Sequence, residues 1–402
     1  MAAESSTAAA PPPRTKRERD VYVPNPKTDF VLTFVFLGQV AALLFSLLFG
    51  LVAPPHSPLT PFQSGLALVA ACLTVYPVIL VVKFFSRVVG GLMSRTLLAH
   101  LGDPLKKPKT MHKFQDQMWQ LFIHASMSAF EYYILFHEDG GVKWWSDYAT
   151  IWQPHASVQE NKPSVHLFYL IQLAIWIDTC FSHKFIEERH KDYVMMYVHH
   201  IVTIILVAGS YSYNYLRIGT VVLFVHDVSD VPLDLIKILN YLKCEGPKGL
   251  FALELAFAGN LVSWAYIRLW HYPRNVIWAV IYGAREVMHH DLALGKFNPA
   301  LPADIGVVPN EALHLVNGRL GRPSYTIGAG DFNLLEDIRI NPTNFYIRLY
   351  WTTSVLLTTL FVMHIFWYFL LVKILYKMLF KTMHEAGQET YEGDSDDDDK
   401  DD

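Results

Sequence analysis

About eight stretches of this chain are each apolar and long enough to cross a lipid bilayer, and no other feature restricts its fold as strongly. They are Phe30–Ala53, Gly65–Phe85, Met118–Phe136, Val165–Phe181, Val194–Tyr213, Ile218–Leu242, Leu250–Trp270 and Phe345–Leu379. A hydrocarbon core about 30 Å thick is crossed by about 20 residues of α-helix. Within it, only elements that satisfy their own backbone hydrogen bonds are stable. The expected fold is therefore all-α, a multi-spanning membrane protein with about eight transmembrane helices. The composition agrees, with 52% hydrophobic and 17% charged residues over 402 positions.

Basic residues then predict orientation, because cytoplasmic loops carry the excess of lysine and arginine. Arg14, Lys16, Arg17 and Arg19 precede the first stretch, and Lys106, Lys107 and Lys109 follow the second. Lys184, Arg189 and Lys191 follow the fourth, Lys243 and Lys248 the sixth, and Lys377 and Lys381 close the last. The loop APPHSPLTPFQSG has none. Both termini are expected on the cytoplasmic side. The resulting organisation is a basic, disordered leader over 1–29, two helices over 30–90, a six-helix domain over 110–380 with a luminal insertion at 286–343, and an acidic tail over 381–402. The leader lacks the apolar h-region of a cleaved secretory signal, so the first apolar stretch is expected to remain as an anchor. The tail, GDSDDDDKDD, accounts for the net charge of −4 and places Ser395 before a run of acids, a pattern that suits an acid-directed kinase. Nucleic acid is not an expected partner. Cys72, Cys180 and Cys244 lie in or beside apolar segments and make neither a disulfide framework nor a zinc site.

Ionisable groups inside spans are costly and mark function by default. Two consecutive stretches hold most of them. YVMMYVHHIVTIILV carries His199 and His200; RIGTVVLFVHDVSDVPLDLIKILNYL carries His226, Asp227, Asp230 and Asp234. On a helix, His226 and Asp230 (i,i+4) and Asp227 and Asp230 (i,i+3) share a face. The link YSYNYL is short, so the two helices form an antiparallel hairpin, with His199 and Asp227 at similar depths and the imidazoles within reach of the carboxylates. Three chemistries suit such a cluster. One is a hydrogen-bond network that only ties helices together. A second is a metal site, but the HxxHH boxes of membrane di-iron enzymes are missing, since Met195 and Met196 stand where histidine is needed. The third is acid–base or nucleophilic catalysis, in which a carboxylate orients one imidazole. Adjacent helical residues point about 100° apart, so His199 and His200 have different roles.

The stretch from Lys191 to Lys243 also resembles the signature motif of the ceramide synthases in the TLC-domain, or longevity-assurance, family. The likeness includes KD before the span, the HH-x-VT core, the SY-x-x-N turn, the R-x-GT restart and the HD-x-SD segment. KFQDQMWQLFIHASMSAFEYY, YLIQLAIWIDTCFSHKFIEERHKDY, LWHYPRNVIW and MHIFWYFLLVKILYKML extend it less specifically over about residues 110–380.

This resemblance implies six helices in a TLC-type barrel around a central cavity, in the endoplasmic reticulum membrane. It implies transfer of a fatty acyl group from acyl-CoA to the amine of a sphingoid long-chain base, with acyl-CoA as co-substrate, no cofactor and no metal. The catalytic residues it implies are His199, His200, His226, Asp227 and Asp230. The implied substrate-binding residues are Trp119, Asn214 and Arg217, with Lys184, Arg189, Lys191 and Lys243 near the CoA phosphates. Membrane lipids, a homodimer mate or a small regulatory subunit are the remaining expected partners. The chemistry suits the residues: a protonated amine must lose protons to attack a thioester, and imidazole, with an ordinary pKa of about 6.5, can accept them. Imidazole can equally take the acyl group first. Of the two, His199 is expected to react and His200 to be braced by aspartate. The chain departs from animal members in lacking a homeobox-like segment, and two spans precede the domain as in fungal members. The insertion 286–343 replaces a short loop associated with acyl-chain choice. The alternative function is a non-catalytic TLC-domain protein that binds or senses lipid.

Overall fold

Four of the long helices start on a proline, a residue that suits the first helical position because it has no N–H to leave unpaired. In the computed structural model these are α1 (Pro26–Leu48), α2 (Pro61–Arg95), α3 (Pro108–Tyr133) and α6 (Pro163–Phe185). At α2 the start is reinforced by a capping box, in which the Gln63 N–H donates to Thr60 Oγ1 and the Thr60 N–H donates to Gln63 Oε1. Two short helices, α4 (Lys143–Ser146) and α5 (Tyr148–Trp152), lie between α3 and α6. Then come α7 (Tyr193–Ser212), α8 (Leu216–Tyr241), α9 (Ala252–Trp264) and α10 (Tyr350–Phe380). The structure describes residues 25–51, 57–138, 143–152, 156, 159–186, 193–284 and 349–380, and all regular structure among them is helical. Most of the leader, Arg189, Lys191, the insertion 286–343 and the tail with Ser395 lie outside the described residues.

The eight apolar stretches are mostly helical where described, and among the described residues five helices are long and apolar enough by themselves to cross a membrane: α1, α2, α6, α7 and α10. The other three stretches fall short of that measure for a physical reason. Helix α8 carries Asp227, Asp230 and Asp234, and α3 is interrupted by Gln115, Gln117, Gln120 and His124. Regular α9 has only 13 residues, after which the rod continues as wider π-type turns through Ala265–Ile277 and Ala279–Gly283. Pro273 lies inside that stretch, where widened turns accommodate a residue with no N–H to donate.

Neighbouring helices bring distant sequence together. Helix α8 packs along α3 and α9, α6 lies against α2 and α7, and α10 packs on the π-type part of the α9 rod and touches α7. Lipid is as apolar as leucine, so close packing and polar contacts hold such helices together more than burial from water does. The fully buried Tyr169 of α6 illustrates this. Its hydroxyl meets Ser210 Oγ of α7 at 2.9 Å and donates to the Leu216 carbonyl oxygen of α8 at 3.1 Å. Gly219 makes that approach feasible, because a Cβ there would collide with the Tyr169 hydroxyl.

Candidate active site

A cavity with about 1000 Å³ of space, its open mouth included, runs beside the α7–α8 hairpin. Its walls come from α7, α8 and the first turns of α10, completed by Trp152, Tyr169, Trp176 and Val280. The lining runs from His199 along α7 to Tyr213 just past its end, fourteen positions on and about 20 Å at 1.5 Å per residue. Most of the lining is apolar, with Leu206, Val222, Leu223, Leu356 and Leu360 among it. His199 and His226 are the imidazoles on its wall, and Thr203 and Ser210 add hydroxyls.

Why α7 and α8 present these groups follows from the turn between them. Asn214 stands at φ 59°, a left-handed conformation that asparagine tolerates better than most residues. Its amide nitrogen donates to the Ala156 and Gln159 carbonyl oxygens at 2.7 and 2.9 Å, and its oxygen accepts from Asn161 Nδ2 at 2.9 Å. Asn214 thus fixes the hairpin and is not on the cavity wall. Arg217 is also absent from that wall; it donates to the Thr150 carbonyl oxygen at 2.9 Å and its guanidinium lies over Trp144 at 5.3 Å. Trp119 is buried in the core and stacks on Phe122, away from the cavity.

His199 and His200 diverge as their helical spacing requires. The His199 ring faces the cavity between Trp176 at 5.8 Å and Trp367 at 5.5 Å, both edge-on. Its Nδ1 is buried without a hydrogen-bond partner among the described residues. His200 turns toward His183, 5.2 Å away, and is not part of the cavity wall.

The carboxylates have partners other than His199. Asp227 Oδ2 accepts from Gln172 Nε2 at 2.7 Å, and the same amide reaches Glu131 Oε1 at 3.3 Å. Asp230 Oδ1 accepts from Arg268 at 2.6 Å. Asp234 accepts from Gln117 at 2.7 Å and meets His124 Nδ1 at 2.6 Å. The expectation that a hairpin carboxylate holds the cavity imidazole is therefore replaced, for His199, by carboxylates bound to α3, α6 and the α9 rod. The reason is geometric: the i,i+3 face of α8 that carries them points at these neighbours.

Arg268 and His364 complete the polar cluster and were not singled out from sequence. Arg268 also donates to Ser229 Oγ at 2.6 Å and to the His226 carbonyl oxygen at 3.1 Å. His364 meets His226 Nε2 to Nε2 at 2.9 Å. The available signal was an ionisable residue alone in an apolar run, YIRLW and MHIFW. Lys184 forms an ion pair with Asp29 of α1, and Lys243 is exposed at φ 54° after α8. Among the described residues no three of His, Cys, Asp and Glu converge as a metal-ligand set.

An interior polar cluster beside a mostly apolar cavity, within a bundle whose long helices could cross a membrane, defines the class as a polytopic helical membrane protein. The family profile of the TLC domain matches residues 113–373, well over half of the chain, and the chain belongs to that family. It is 30% identical over 177 residues to ceramide synthase LOH2 of Arabidopsis thaliana, covering 44% of this chain and 56% of that protein. It is 29% identical over 195 residues to human ceramide synthase 1, covering 45% and 54%. It is 28% identical over 291 residues to the sphingosine N-acyltransferase-like protein ALT7 of Alternaria alternata, covering 70% and 60%. The chain thus spans little more than half the length of these relatives.

Proposed function

We propose that this protein is a ceramide synthase, which joins a fatty acyl group from acyl-CoA to the amine of a sphingoid long-chain base. The observation that carries the reading is the cavity that has the His199 imidazole on its wall and a mostly apolar lining along about 20 Å of α7. Such a shape holds a hydrocarbon chain along that lining and a reacting carbonyl beside the ring. The names of the relatives, two ceramide synthases and a sphingosine N-acyltransferase-like protein, support the reading.

The overall reaction takes an alkylammonium and a thioester to an amide, a CoA thiol and one proton. Two routes satisfy that balance, and His199 acts on the attacking amine in one and on the reacting carbonyl in the other. In one, the ammonium first loses a proton to solvent; the imidazole takes the second proton as the amine attacks the thioester, and returns it to the departing CoA thiolate. In the other, the ring nitrogen displaces the thiolate first, and the amine then attacks the acyl-imidazole. His200, Asp227 and Asp230 serve the site by holding α6, α7, α8 and the α9 rod in register. The reading includes eight membrane crossings, with six helices arranged as a barrel around the cavity, in the endoplasmic reticulum membrane.

The test is direct. Microsomes containing the full chain receive a sphingoid base and a panel of labelled acyl-CoAs, and products are identified by mass spectrometry. Amide product that requires both substrates supports the assignment. No amide with any chain length, together with saturable binding of lipid, replaces it with a lipid-binding role.

A further inference from the structure

Three helices bring imidazoles to this end of the cavity: His199 of α7 and His226 of α8 line it, and His364 of α10 touches His226 and shares the neighbour Trp367 with His199. Only the last two touch, at 2.9 Å between their Nε2 atoms, and His364 is fully buried. The direction of this hydrogen bond follows from the other side of His226. Its Nδ1 lies 2.7 Å from the Val222 carbonyl oxygen, and a carbonyl can only accept, so Nδ1 carries the hydrogen. In the neutral ring Nε2 is then an acceptor, and the hydrogen between the two Nε2 atoms belongs to His364. That fixes the tautomer of His364 in turn, leaving its Nδ1 as a bare acceptor, buried with no hydrogen-bond partner among the described residues.

Surrounding groups hold the pair in this arrangement. The Tyr272 ring stands edge-on to both, 5.6 Å from His226 and 5.0 Å from His364. Arg268 binds the His226 backbone oxygen and lies over Trp264 at 4.1 Å. The Trp264 indole N–H donates to the His364 backbone oxygen at 3.4 Å. The ring of His226 therefore has both nitrogens engaged although it lies on the cavity wall, whereas His199 has neither engaged in a hydrogen bond among the described residues.

We propose that His364 is a positioning residue of this site. By donating its Nε2–H to His226 it occupies the one lone pair that ring has to offer, fixes it as wall, and leaves His199 as the cavity imidazole able to take a proton or an acyl group. The consequence for turnover rests on the acyltransfer reading; the hydrogen-bond assignment does not.

Diethyl pyrocarbonate, which acylates an imidazole nitrogen that has a free lone pair, separates the two. Membranes containing the full chain are treated, and modified histidines are mapped by mass spectrometry. His199 is expected to react at least about tenfold faster than His226 in the wild type, because a hydrogen-bonded lone pair is not available as a nucleophile. In His364→Leu the His226 ring should become reactive. In His364→Gln, whose side-chain amide N–H can replace the imidazole donor, it should stay protected. Amide formation should follow the same order: His364→Leu lowers kcat roughly tenfold with KM for both substrates within about twofold, and His364→Gln restores most of the loss. His226 labelled as fast as His199 in the wild type overturns the proposal, as does a Leu variant that matches the Gln variant in both readouts. If His364→Leu does not accumulate as folded protein, the wild-type and Gln maps decide alone. A wild type that forms no amide rejects the acyltransfer reading and leaves the labelling comparison intact.

Discussion

Lys184 at the end of α6 and Asp29 in the first turn of α1 form an ion pair that ties the N-terminal helix to the domain matched by its relatives. The lysine side chain is only 5% exposed and the aspartate 25%. The ammonium, expected beside CoA phosphates, is instead held within the protein and lies 5.9 Å from the Tyr197 ring centre. Removing one partner leaves the other charge uncompensated, which costs on the order of 1–3 kcal/mol here, less than for a fully buried pair. Asp29→Leu or Lys184→Met alone should therefore lower the midpoint of thermal unfolding in detergent, and the double variant should recover most of it. KM for acyl-CoA should change by less than about twofold in the double variant.

Arg268 and Asp230 set a second test. Arg268 alone reaches Ser229, Asp230 and the His226 backbone from the α9 rod. Lysine has one nitrogen and no planar fork, so Arg268→Lys cannot make all three contacts. The Lys variant should lose stability by roughly 1–2 kcal/mol, and Arg268→Ala by about 3 kcal/mol because it strands the partly buried Asp230. Thermal unfolding of the purified variants measures both. Arg268→Ala/Asp230→Ala should be more stable than Arg268→Ala.

Close approach at Gly219 gives a third. A methyl group there meets the Tyr169 hydroxyl and Ser210 Oγ, so α6 and α8 must separate at the cavity wall. Gly219→Ala is expected to cost about 1–3 kcal/mol and to reduce amide formation. Adding Tyr169→Phe removes the colliding oxygen and should return part of the stability, a coupling that a double-mutant cycle reads directly.

Asn214 distinguishes positioning from substrate contact. It supplies a left-handed turn residue and three buried hydrogen bonds. Asn214→Gly keeps the backbone preference and loses the bonds; Asn214→Ala loses both. The unfolding midpoint should fall in the order wild type, Gly, Ala, with the Ala variant down by roughly 2–4 kcal/mol. KM for each substrate should move by less than about threefold in the Gly variant.

These residues also mark how far the sequence alone reaches. That α7 and α8 are helices joined by a short turn was legible because apolar length and a short link are local properties. That His199 faces the cavity and His200 turns away follows from helical spacing, once one of the two directions is known. The partners of Asp227, Asp230 and Asp234 were not legible. Gln172, Arg268, Gln117 and His124 come from helices far away in sequence, and no spacing within α8 points to them. His364 lies 138 residues from His226, in a span whose leucines and aromatics carry no trace of the contact. The π-type turns after Trp264 escaped for another reason: they change the period of the helix without changing its composition.

The central claim is that His199 performs the chemistry of amide formation, and the rate of labelled amide production by His199→Ala in microsomes tests it most directly. With expression and membrane insertion matched to the wild type, the rate should fall at least about 10²-fold, the loss expected when a reacting acid–base or nucleophilic group is removed. His200→Ala, which alters a ring that faces His183 and not the cavity, should fall less far. Amide formation by His199→Ala within a few-fold of the wild type would contradict the account.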